Sequence, residues 1–265
     1  MKISDFLKID STTTSLLALT YLLNKPKSYI LTNQDTELSS EIVDKLSDII
    51  DKRKKHYPLQ YAIGYWQFYN LLLKVDERAL IPRFETEIIV DYLVKASFKK
   101  DRILDIGTGS GAIALSLADK LKESLVLGTD IEEKALSLAR ENKARLNILN
   151  AHFAKSDLFE SVEGKFDLII SNPPYISKKD YENLEQELYY EPKSALYGGE
   201  DGLIFYRRII EESPNYINDG GHLVFEIGYD QKDIINKIMK EYGFINIINI
   251  KDFNDFDRFI IAQKG

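Results

Sequence analysis

The feature that most constrains the fold is a regular alternation of predicted helices and strands between residues 86 and 171. Short apolar runs predict strands, and longer stretches with an apolar residue every three or four positions predict helices. The predicted helices are 86–98, 112–120 and 133–145, and the predicted strands are 102–105, 125–129, 148–154 and 166–171. This alternation is typical of a parallel sheet with helices on both faces.

The C-terminal sequence predicts the rest of the sheet. Helices are predicted at 205–216 and 231–242, and strands at 221–227, 245–251 and 258–263. Because only a short acidic turn separates the last two strands, they must run antiparallel. The predicted fold class is therefore α/β, a Rossmann-like sheet of seven strands with an antiparallel hairpin at one edge.

The sequence before the sheet has a different character. In residues 1–64, apolar residues recur at helical spacing, most clearly at 42–50, where Ser39 is the expected N-cap. Residues 65–81 contain strand-forming residues around a turn at Asn70, which predicts a β-hairpin. We therefore expect a small helical-bundle domain at 1–64, a β-hairpin linker at 65–81 and the sheet domain at 82–265.

The composition argues against several classes of protein. The chain has no cysteine, and its three histidines lie in unrelated contexts, so we expect no metal site. The formal net charge of −7 counts against a nucleic-acid partner, and for the basic run at 52–55 a solvated helix end is favoured over a nucleic-acid-binding patch. Because we find neither a secretion signal nor an apolar run that could span a membrane, we expect a cytoplasmic protein.

A glycine-rich loop follows the first strand of the predicted sheet. It reads Asp105-Ile106-Gly107-Thr108-Gly109-Ser110-Gly111 and leads into the helix at 112–120. Glycines allow a tight turn and let a ligand approach the backbone, although a purely structural turn uses the same residues. The G-x-G-x-G spacing differs from the G-x-G-x-x-G of dinucleotide sites.

Carboxylates at the ends of the strands indicate what the loop binds. Asp105 would repel a pyrophosphate but suits an ammonium group, and Asp130 can accept hydrogen bonds from ribose hydroxyls. Asp157 can accept from an adenine amino group while Leu158 or Phe159 packs on the ring, the alternative for Asp157 being a helix cap. The ligand should therefore carry a ribose and a positive charge and no phosphate, a description that S-adenosylmethionine, whose product is S-adenosylhomocysteine, fits better than NAD. The predicted cofactor-binding residues are Asp105, Gly107, Thr108, Gly109, Ser110, Gly111, Asp130, Asp157, Leu158 and Asn172.

The strand at 166–171 ends in Asn172-Pro173-Pro174-Tyr175. Each proline fixes φ and removes a backbone donor, so the strand must end in a rigid elbow beside the first strand. If the Asn172 side-chain oxygen and the Pro173 carbonyl accept both hydrogens of a planar acceptor nitrogen, the lone pair of that nitrogen can turn towards the methyl group of S-adenosylmethionine. Tyr175 can stack on the planar group that carries the nitrogen. Catalysis would then rest on orientation, with no obligatory general base. A structural proline turn is the alternative to this catalytic and substrate-binding role.

At these residues the chain resembles the release factor glutamine methyltransferases, which methylate the glutamine side-chain amide in the Gly-Gly-Gln motif of class I peptide-chain release factors. The glycine loop and the tetrapeptide are shared with other methyltransferases, the tetrapeptide with enzymes that act on DNA and RNA. More specific are Ile81-Pro82-Arg83-Phe84-Glu85-Thr86-Glu87 and Glu191-Pro192-Lys193-Ser194-Ala195-Leu196. The other matching stretches are 58–64 and Asp257-Arg258.

The resemblance implies a methyltransferase sheet, S-adenosylmethionine as cofactor and a class I release factor as protein partner, with residues 1–64 contributing to docking. It implies that Arg83, Glu85 and Glu87 lie near the cofactor and that Arg83 and Glu87 bind substrate, the alternative being a surface ion cluster. Phe84 stands where the family usually has proline, which loosens this loop. We expect a monomer that has no membrane partner and no direct nucleic-acid substrate.

Two other functions fit parts of the sequence. An amino-methyltransferase acting on adenine or guanine of DNA or RNA would share Asn172–Tyr175 but should have a basic face there, and residues 181–191 are acidic. A non-catalytic module that binds an adenosyl ligand is the third possibility, and the presence of Asn172 and Asp130 argues against it. The leading prediction is methyl transfer to the release-factor glutamine.

Overall fold

The structure, a computed structural model, describes residues 1–9 and 12–265. The predicted helical region 1–64 includes Asp10 and Ser11, which lie outside the described residues. The chain divides into two compact units. The first consists of Met1–Trp66 and Glu185–Tyr190, and the second of Gln67–Leu184 and Glu191–Gly265.

The first unit is helical, as the sequence predicts. Its helices are α1 (Ile3–Ile9), α2 (Thr12–Leu23), α3 (Lys27–Thr32), α4 (Ser40–Arg53) and α5 (Leu59–Ile63). The predicted N-cap of α4 is confirmed, since Ser39 Oγ accepts a hydrogen bond from the Ile42 N–H at 3.4 Å. The buried core contains apolar residues from all five: Ile3, Phe6, Ala18, Leu19, Ile30, Leu46, Ile49, Ile50 and Leu59.

The segment Glu185–Tyr190, which includes a 3₁₀ helix at Gln186–Tyr190, belongs to this helical unit. Arg53 Nη2 lies 2.7 Å from Glu187 Oε1, and the Tyr190 hydroxyl donates to the Lys55 carbonyl at 2.9 Å. Nothing in the sequence indicates this association, because the segment is distant in the chain from the helices that it contacts.

The basic run at residues 52–55 is largely neutralised within the same unit. Lys52 Nζ lies 2.8 Å from Asp48, and Lys54 Nζ lies 2.8 Å from Asp51. These pairs are typical of a solvated helix end, the alternative that the sequence left open.

The second unit is built on a mostly parallel sheet. Before it, β1 (Tyr65–Phe68) and β2 (Leu71–Lys74) form a two-stranded sheet, and the boundary between the units falls within β1. Among the described residues, the main sheet has seven strands in the order β5-β4-β3-β6-β7-β9-β8. These strands are β3 (Arg102–Ile106), β4 (Leu125–Asp130), β5 (Ala151–Lys155), β6 (Phe166–Ser171), β7 (Ile217–Glu226), β8 (Phe244–Lys251) and β9 (Asp257–Lys264).

The predicted fold class is confirmed in its topology. β3 pairs in parallel with β4 and β6, whereas β9 runs antiparallel to β7 and β8 and so forms the expected edge hairpin. The helices of this unit are α6 (Thr86–Lys95), α7 (Ala112–Lys120), α8 (Glu133–Leu146), α9 (Lys178–Tyr181), α10 (Ile204–Glu212) and α11 (Lys232–Glu241).

Several predicted boundaries are wrong by a few residues, for local reasons. The helix predicted to reach residue 216 ends at Glu212, because a 3₁₀ turn containing Pro214 follows it. β7 begins at Ile217 instead of residue 221, and its pairing with β6 shifts register between Phe166 and Leu168. The start of β7 could not be recognised from a hydrophobic pattern, because Ile217 is followed by the polar sequence Asn218-Asp219-Gly220-Gly221.

The topology determines where a site can form. The strand order reverses between β3 and β6, so their connections leave from opposite faces of the sheet and a crevice opens at their carboxyl ends. The glycine loop follows β3, and the Asn172–Tyr175 elbow follows β6. Ser171 Oγ donates to the Ile106 carbonyl at 2.8 Å and so joins the two strand ends.

Candidate active site

A cavity of about 610 Å³ lies at the carboxyl ends of β3, β4, β5 and β6 in the second unit. Its volume is within the usual range for a small-molecule or cofactor pocket. The predicted site residues that line it are Gly107, Gly109, Asp130, Asp157, Leu158, Asn172, Pro173 and Pro174. The glycine loop, the strand-end carboxylates and the elbow therefore meet at one cavity, although they come from different strands.

Four residues of the glycine loop do not line the cavity but hold the loop in its conformation: Asp105, Thr108, Ser110 and Gly111. Asp105 is buried, and its Oδ2 accepts hydrogen bonds from Thr108 Oγ1 at 2.7 Å and from the Ala114 N–H at 3.2 Å. The Ser110 carbonyl accepts from Asn142 Nδ2 at 3.1 Å. Gly111 packs so closely on the core that an added Cβ would lie 3.0 Å from the Leu115 side chain.

Asp105 has unused hydrogen-bonding capacity. Its Oδ1 is buried and has no hydrogen-bond partner among the described residues. Burial raises the pKa of this carboxyl to about 7. A buried, unsatisfied carboxylate oxygen is costly, so a nearby cationic ligand would stabilise it.

Asp130 lies at the end of β4, where the sequence predicts a ribose-binding carboxylate. Its Oδ2 accepts from the Gly109 N–H at 2.9 Å, and its Oδ1 accepts from the Glu132 N–H at 2.9 Å. Burial raises the pKa of Asp130. Each carboxylate oxygen can accept a further bond, so these two contacts fix the carboxylate without exhausting it as an acceptor for hydroxyl groups.

Asp157 and Leu158 line the cavity from the segment after β5. This segment forms turns and not a helix, so Asp157 is not a helix cap. Instead its Oδ1 lies 3.1 Å from Arg208 Nη2 of α10. Leu158 has a φ of 48°, which is rare for a branched side chain and marks a position fixed by its surroundings.

The elbow presents Asn172 to the cavity. Asn172 is half-buried and lines the cavity, and its side-chain amide makes no hydrogen bond within the part of the chain described. Tyr175 does not line this cavity. Its ring packs against the core of the unit, and burial, reinforced by the negative charge of Glu226, raises the pKa of Tyr175 to about 12. The stacking role of Tyr175 stays a prediction.

Arg83 and Glu87 do not line the cavity either. Arg83 Nη2 contacts Glu191 Oε1 at 2.6 Å, and Glu191 Oε2 accepts from the Ile81 N–H at 3.0 Å. Because the Glu191 side chain is 2% exposed, this contact ties together the two stretches that carried the family resemblance. The surface-cluster alternative therefore does not describe Arg83, whose partner is buried.

Phe84, the departure from the family pattern, is largely exposed. Its ring stacks on that of Phe253 with the ring centres 5.8 Å apart, and both side chains are exposed, at 62% and 76%. The stack joins the loop before α6 to the turn between β8 and β9. A second chain segment thus contacts the loop at the position where proline is expected.

Some cavity residues were not identified from the sequence. Four of them, Pro192, Lys193, Ser194 and Ala195, belong to a stretch that carries the family resemblance, but the resemblance assigns them no role. The others are Arg78, Ala79, Leu80, Ile106, Ile131, Glu132, Ala135, Ser156, Ser171, Tyr197, Phe205, Arg208 and Ile209. The apolar face of α10 was a detectable signal, but its pattern alone does not tell a cavity wall from a core face.

No helix in residues 1–9 or 12–265 is long and apolar enough to cross a membrane. Within the same residues, no three acidic or histidine side chains are grouped as metal ligands would be.

Comparison with known proteins agrees with this geometry. Residues 84–206 match the family Methyltransferase small domain, and residues 10–64 match the family PrmC N-terminal domain. A methyltransferase structure from Pyrococcus furiosus superposes with a TM-score of 0.58 at 24% identity, covering 81% of this chain and 99% of that one. The fold and the family match define the chain as a Rossmann-like methyltransferase.

The sequence relatives narrow the class. A release factor glutamine methyltransferase from Fusobacterium nucleatum is 41% identical over 98% of this chain and 77% of that protein. One from Vibrio cholerae is 41% identical over 92% of this chain and 87% of that protein. The chain belongs to the release factor glutamine methyltransferase family.

Proposed function

We propose that this enzyme transfers a methyl group from S-adenosylmethionine to the side-chain amide nitrogen of the glutamine in the Gly-Gly-Gln motif of a class I release factor. The observation that carries the proposal is the unbonded Asn172 side-chain amide, which shares one cavity with Asp130 and the glycine loop. A nitrogen-orienting group and a ribose-accepting carboxylate at one cavity suit methyl transfer from an adenosyl cofactor.

The residues around the cavity fit S-adenosylmethionine chemically. Asp130 has acceptor sites left for ribose hydroxyls, and the unsatisfied Asp105 Oδ1 suits an ammonium group near the loop. The Asp105 carboxylate would repel a phosphate group at the glycine loop, which disfavours a dinucleotide. When bound, the cofactor supplies a methyl group on a positively charged sulfur. Gly107, Gly109, Asp130, Asp157, Leu158 and Asn172 would hold it, with Asp105, Thr108, Ser110 and Gly111 supporting the loop.

The elbow would orient the acceptor. The lone pair of an amide nitrogen is conjugated with its carbonyl, so the nitrogen is a poor nucleophile. Asn172 Oδ1 and the Pro173 carbonyl would accept its two N–H hydrogens and direct the lone pair at the methyl carbon. Methyl transfer to the nitrogen would form the new N–C bond as the C–S bond breaks, would leave the electron pair on the sulfur, and would release one proton from the nitrogen to water. Orientation of this kind can supply several kcal/mol, up to about 10.

The names of the relatives support a release factor as the substrate. We further propose that the helical unit contributes to docking of that protein and that Arg83, Glu87, Pro174 and Tyr175 contact it near the glutamine. The pairing of Arg83 with Glu191 supports a fixed loop at that position.

The test is methyl transfer from labelled S-adenosylmethionine to three acceptors side by side: a purified class I release factor, its variant with Gly-Gly-Ala in place of Gly-Gly-Gln, and duplex DNA. We expect label in the unaltered release factor alone. The Asn172→Ala variant should lose transfer, with its cofactor affinity by calorimetry changed by no more than a few-fold. Label in DNA, or in the glutamine-to-alanine protein, would contradict the proposed substrate.

A further inference from the structure

The chain that follows the elbow is held by a loop from elsewhere in the unit. The Ile176 N–H donates to the Leu196 carbonyl at 2.9 Å, and the Gly198 N–H donates to the Ile176 carbonyl at 2.9 Å. Neither Pro173 nor Pro174 has an N–H, so the elbow itself cannot be held by donors of its own at these positions. Its carbonyl groups are the atoms that a neighbouring residue can hold.

Gln231, the residue just before α11, holds one of these carbonyls. Its side chain is buried, and Nε2 donates to the Tyr175 carbonyl at 3.1 Å and to the Gly202 carbonyl at 3.3 Å. Its Oε1 accepts from the Gly228 N–H at 2.9 Å. A single amide therefore joins the elbow to the segment before α10 and to the turn after β7, with both its donors and its acceptor in use.

The elbow packs against Gly198 and Gly202 so closely that neither position has room for a side chain. Gly202 has a φ of +75°, and a Cβ there would meet the Tyr175 carbonyl oxygen and would lie 2.8 Å from Gln231 Nε2. A Cβ on Gly198 would lie 2.6 Å from the Pro174 carbonyl oxygen. The elbow thus packs against two glycine backbones, and the Gln231 side chain adds hydrogen bonds to the elbow and to one of these glycines.

We propose that Gln231 is a positioning residue for methyl transfer: by holding the Tyr175 carbonyl, it fixes the segment that carries Asn172 and the Pro173 carbonyl. Gln231 is not among the residues that line the cavity, so it acts through the elbow. This inference rests on the proposed function, in which the rate depends on the orientation of the acceptor nitrogen. Loss of the Gln231 side-chain amide should therefore lower kcat more than it lowers the affinity for the cofactor.

The alternative role for Gln231 is to stabilise the fold only, and Asn150 provides the matched control. Asn150 Nδ2 donates to the carbonyls of Ala118, Leu121 and Ser124, at 3.1, 3.1 and 2.9 Å. It is also a side-chain amide that joins backbone segments, but it directly precedes β5, at the amino ends of the parallel strands. Its loss removes comparable hydrogen bonds away from the elbow.

The experiment compares Gln231→Leu, Gln231→Glu, Asn150→Leu and the unaltered enzyme. It measures kcat with a purified release factor, the affinity for S-adenosylmethionine by calorimetry, and the melting temperature. Since a misplacement of about 1 Å can cost about 100-fold, we expect Gln231→Leu to lower kcat by about that factor and to change cofactor affinity by less than about threefold. Asn150→Leu should lower the melting temperature similarly and leave kcat within about threefold.

Gln231→Glu adds a pH readout. When protonated, the new carboxyl can donate to the Tyr175 carbonyl, and when ionised it repels that carbonyl. The kcat of Gln231→Glu relative to the unaltered enzyme should therefore fall as pH rises, while that of Gln231→Leu stays flat. Equal losses of kcat in Gln231→Leu and Asn150→Leu, or a parallel loss of cofactor affinity, would overturn the inference.

A failure of the proposed function would look different. If the unaltered enzyme left the release factor unlabelled, the proposed substrate would be wrong whatever the variants did. Amide hydrogen exchange at Tyr175 and Ile176, measured without any substrate, would then test whether Gln231 holds the elbow in place. Faster exchange at these amides in Gln231→Leu would support the positioning contact, and unchanged exchange would overturn it.

Discussion

Replacing Gly198 by alanine should impair methyl transfer through a steric shift of the elbow. The added Cβ would lie 2.6 Å from the Pro174 carbonyl oxygen and 2.8 Å from Tyr175 Cα. Because ordinary contact begins at 3.4 Å, the two segments must move apart by nearly 1 Å. A displacement of about 1 Å at a reacting centre can cost about 100-fold in rate. We therefore expect kcat to fall by about that factor.

Gly221 is the matched control, because it is crowded to the same degree. A Cβ there would lie 2.7 Å from the Ile217 side chain and 2.9 Å from the Asp167 carbonyl oxygen. Asp167 is near the start of β6, at the end opposite to the elbow. Both alanine variants should lose about 1–3 kcal/mol of unfolding free energy, as overpacked sites usually do. The loss of kcat should be confined to Gly198→Ala.

The assay combines release-factor methylation, calorimetry with S-adenosylmethionine and urea denaturation. Gly198→Ala should bind the cofactor within a few-fold of the unaltered enzyme, since the glycine loop and Asp130 are not disturbed. If both variants lost equal stability and equal kcat, general destabilisation would explain the effect. The reasoning from elbow position would then be refuted.

Three further predictions concern carboxylates. Asp130→Ala should weaken cofactor binding by about 1.5–3 kcal/mol in calorimetry, the usual worth of hydrogen bonds to a charged group, and unchanged affinity would remove Asp130 from the site. Burial raises the pKa of Asp105 to about 7, so the folded state binds more protons than the unfolded state between about pH 4 and 7, and stability falls as pH rises. Asp105→Asn should flatten this fall by up to about 1.4 kcal/mol per pH unit in urea titrations, and an unchanged slope would contradict it. Glu191→Gln should lose about 1–3 kcal/mol of unfolding free energy, because the buried side chain keeps only one acceptor oxygen and no charge for Arg83 and the Ile81 N–H. Glu41→Gln, which breaks an exposed pair with Lys45, should leave the unfolding free energy essentially unchanged, and equal losses in the two variants would refute the distinction.

The parts of the fold that the sequence predicted are those fixed by neighbouring residues. β6 could be recognised because a parallel strand that is covered on both faces is mostly apolar, as Leu168, Ile169 and Ile170 are at its centre, and all its residues are buried. The Ser39 cap is a contact between residues three positions apart. The convergence of the glycine loop and the elbow followed from strand order, since parallel strands bring their carboxyl ends to one edge.

The parts that could not be predicted depend on contacts between distant residues. Arg208 reaches Asp157 from a different helix, and Glu191 reaches Arg83 across more than a hundred residues. A periodic pattern identifies the buried face of an element but does not identify the residue that it meets. The contact of Gln231 with the elbow, which spans 56 positions in the chain, is of the same kind.

The elbow shows why such distant contacts are needed at a site that works by orientation. Its two prolines make the chain stiff, but they also remove the N–H groups through which a strand is normally held. Rigidity within the tetrapeptide therefore does not fix its position relative to the rest of the sheet. Contacts with other segments fix the position of the elbow. Ser171 Oγ donates to the Ile106 carbonyl at the end of β3, and Gln231 Nε2 donates to the Tyr175 carbonyl. Stiffness comes from the local sequence and placement from distant residues, and a poor nucleophile needs both.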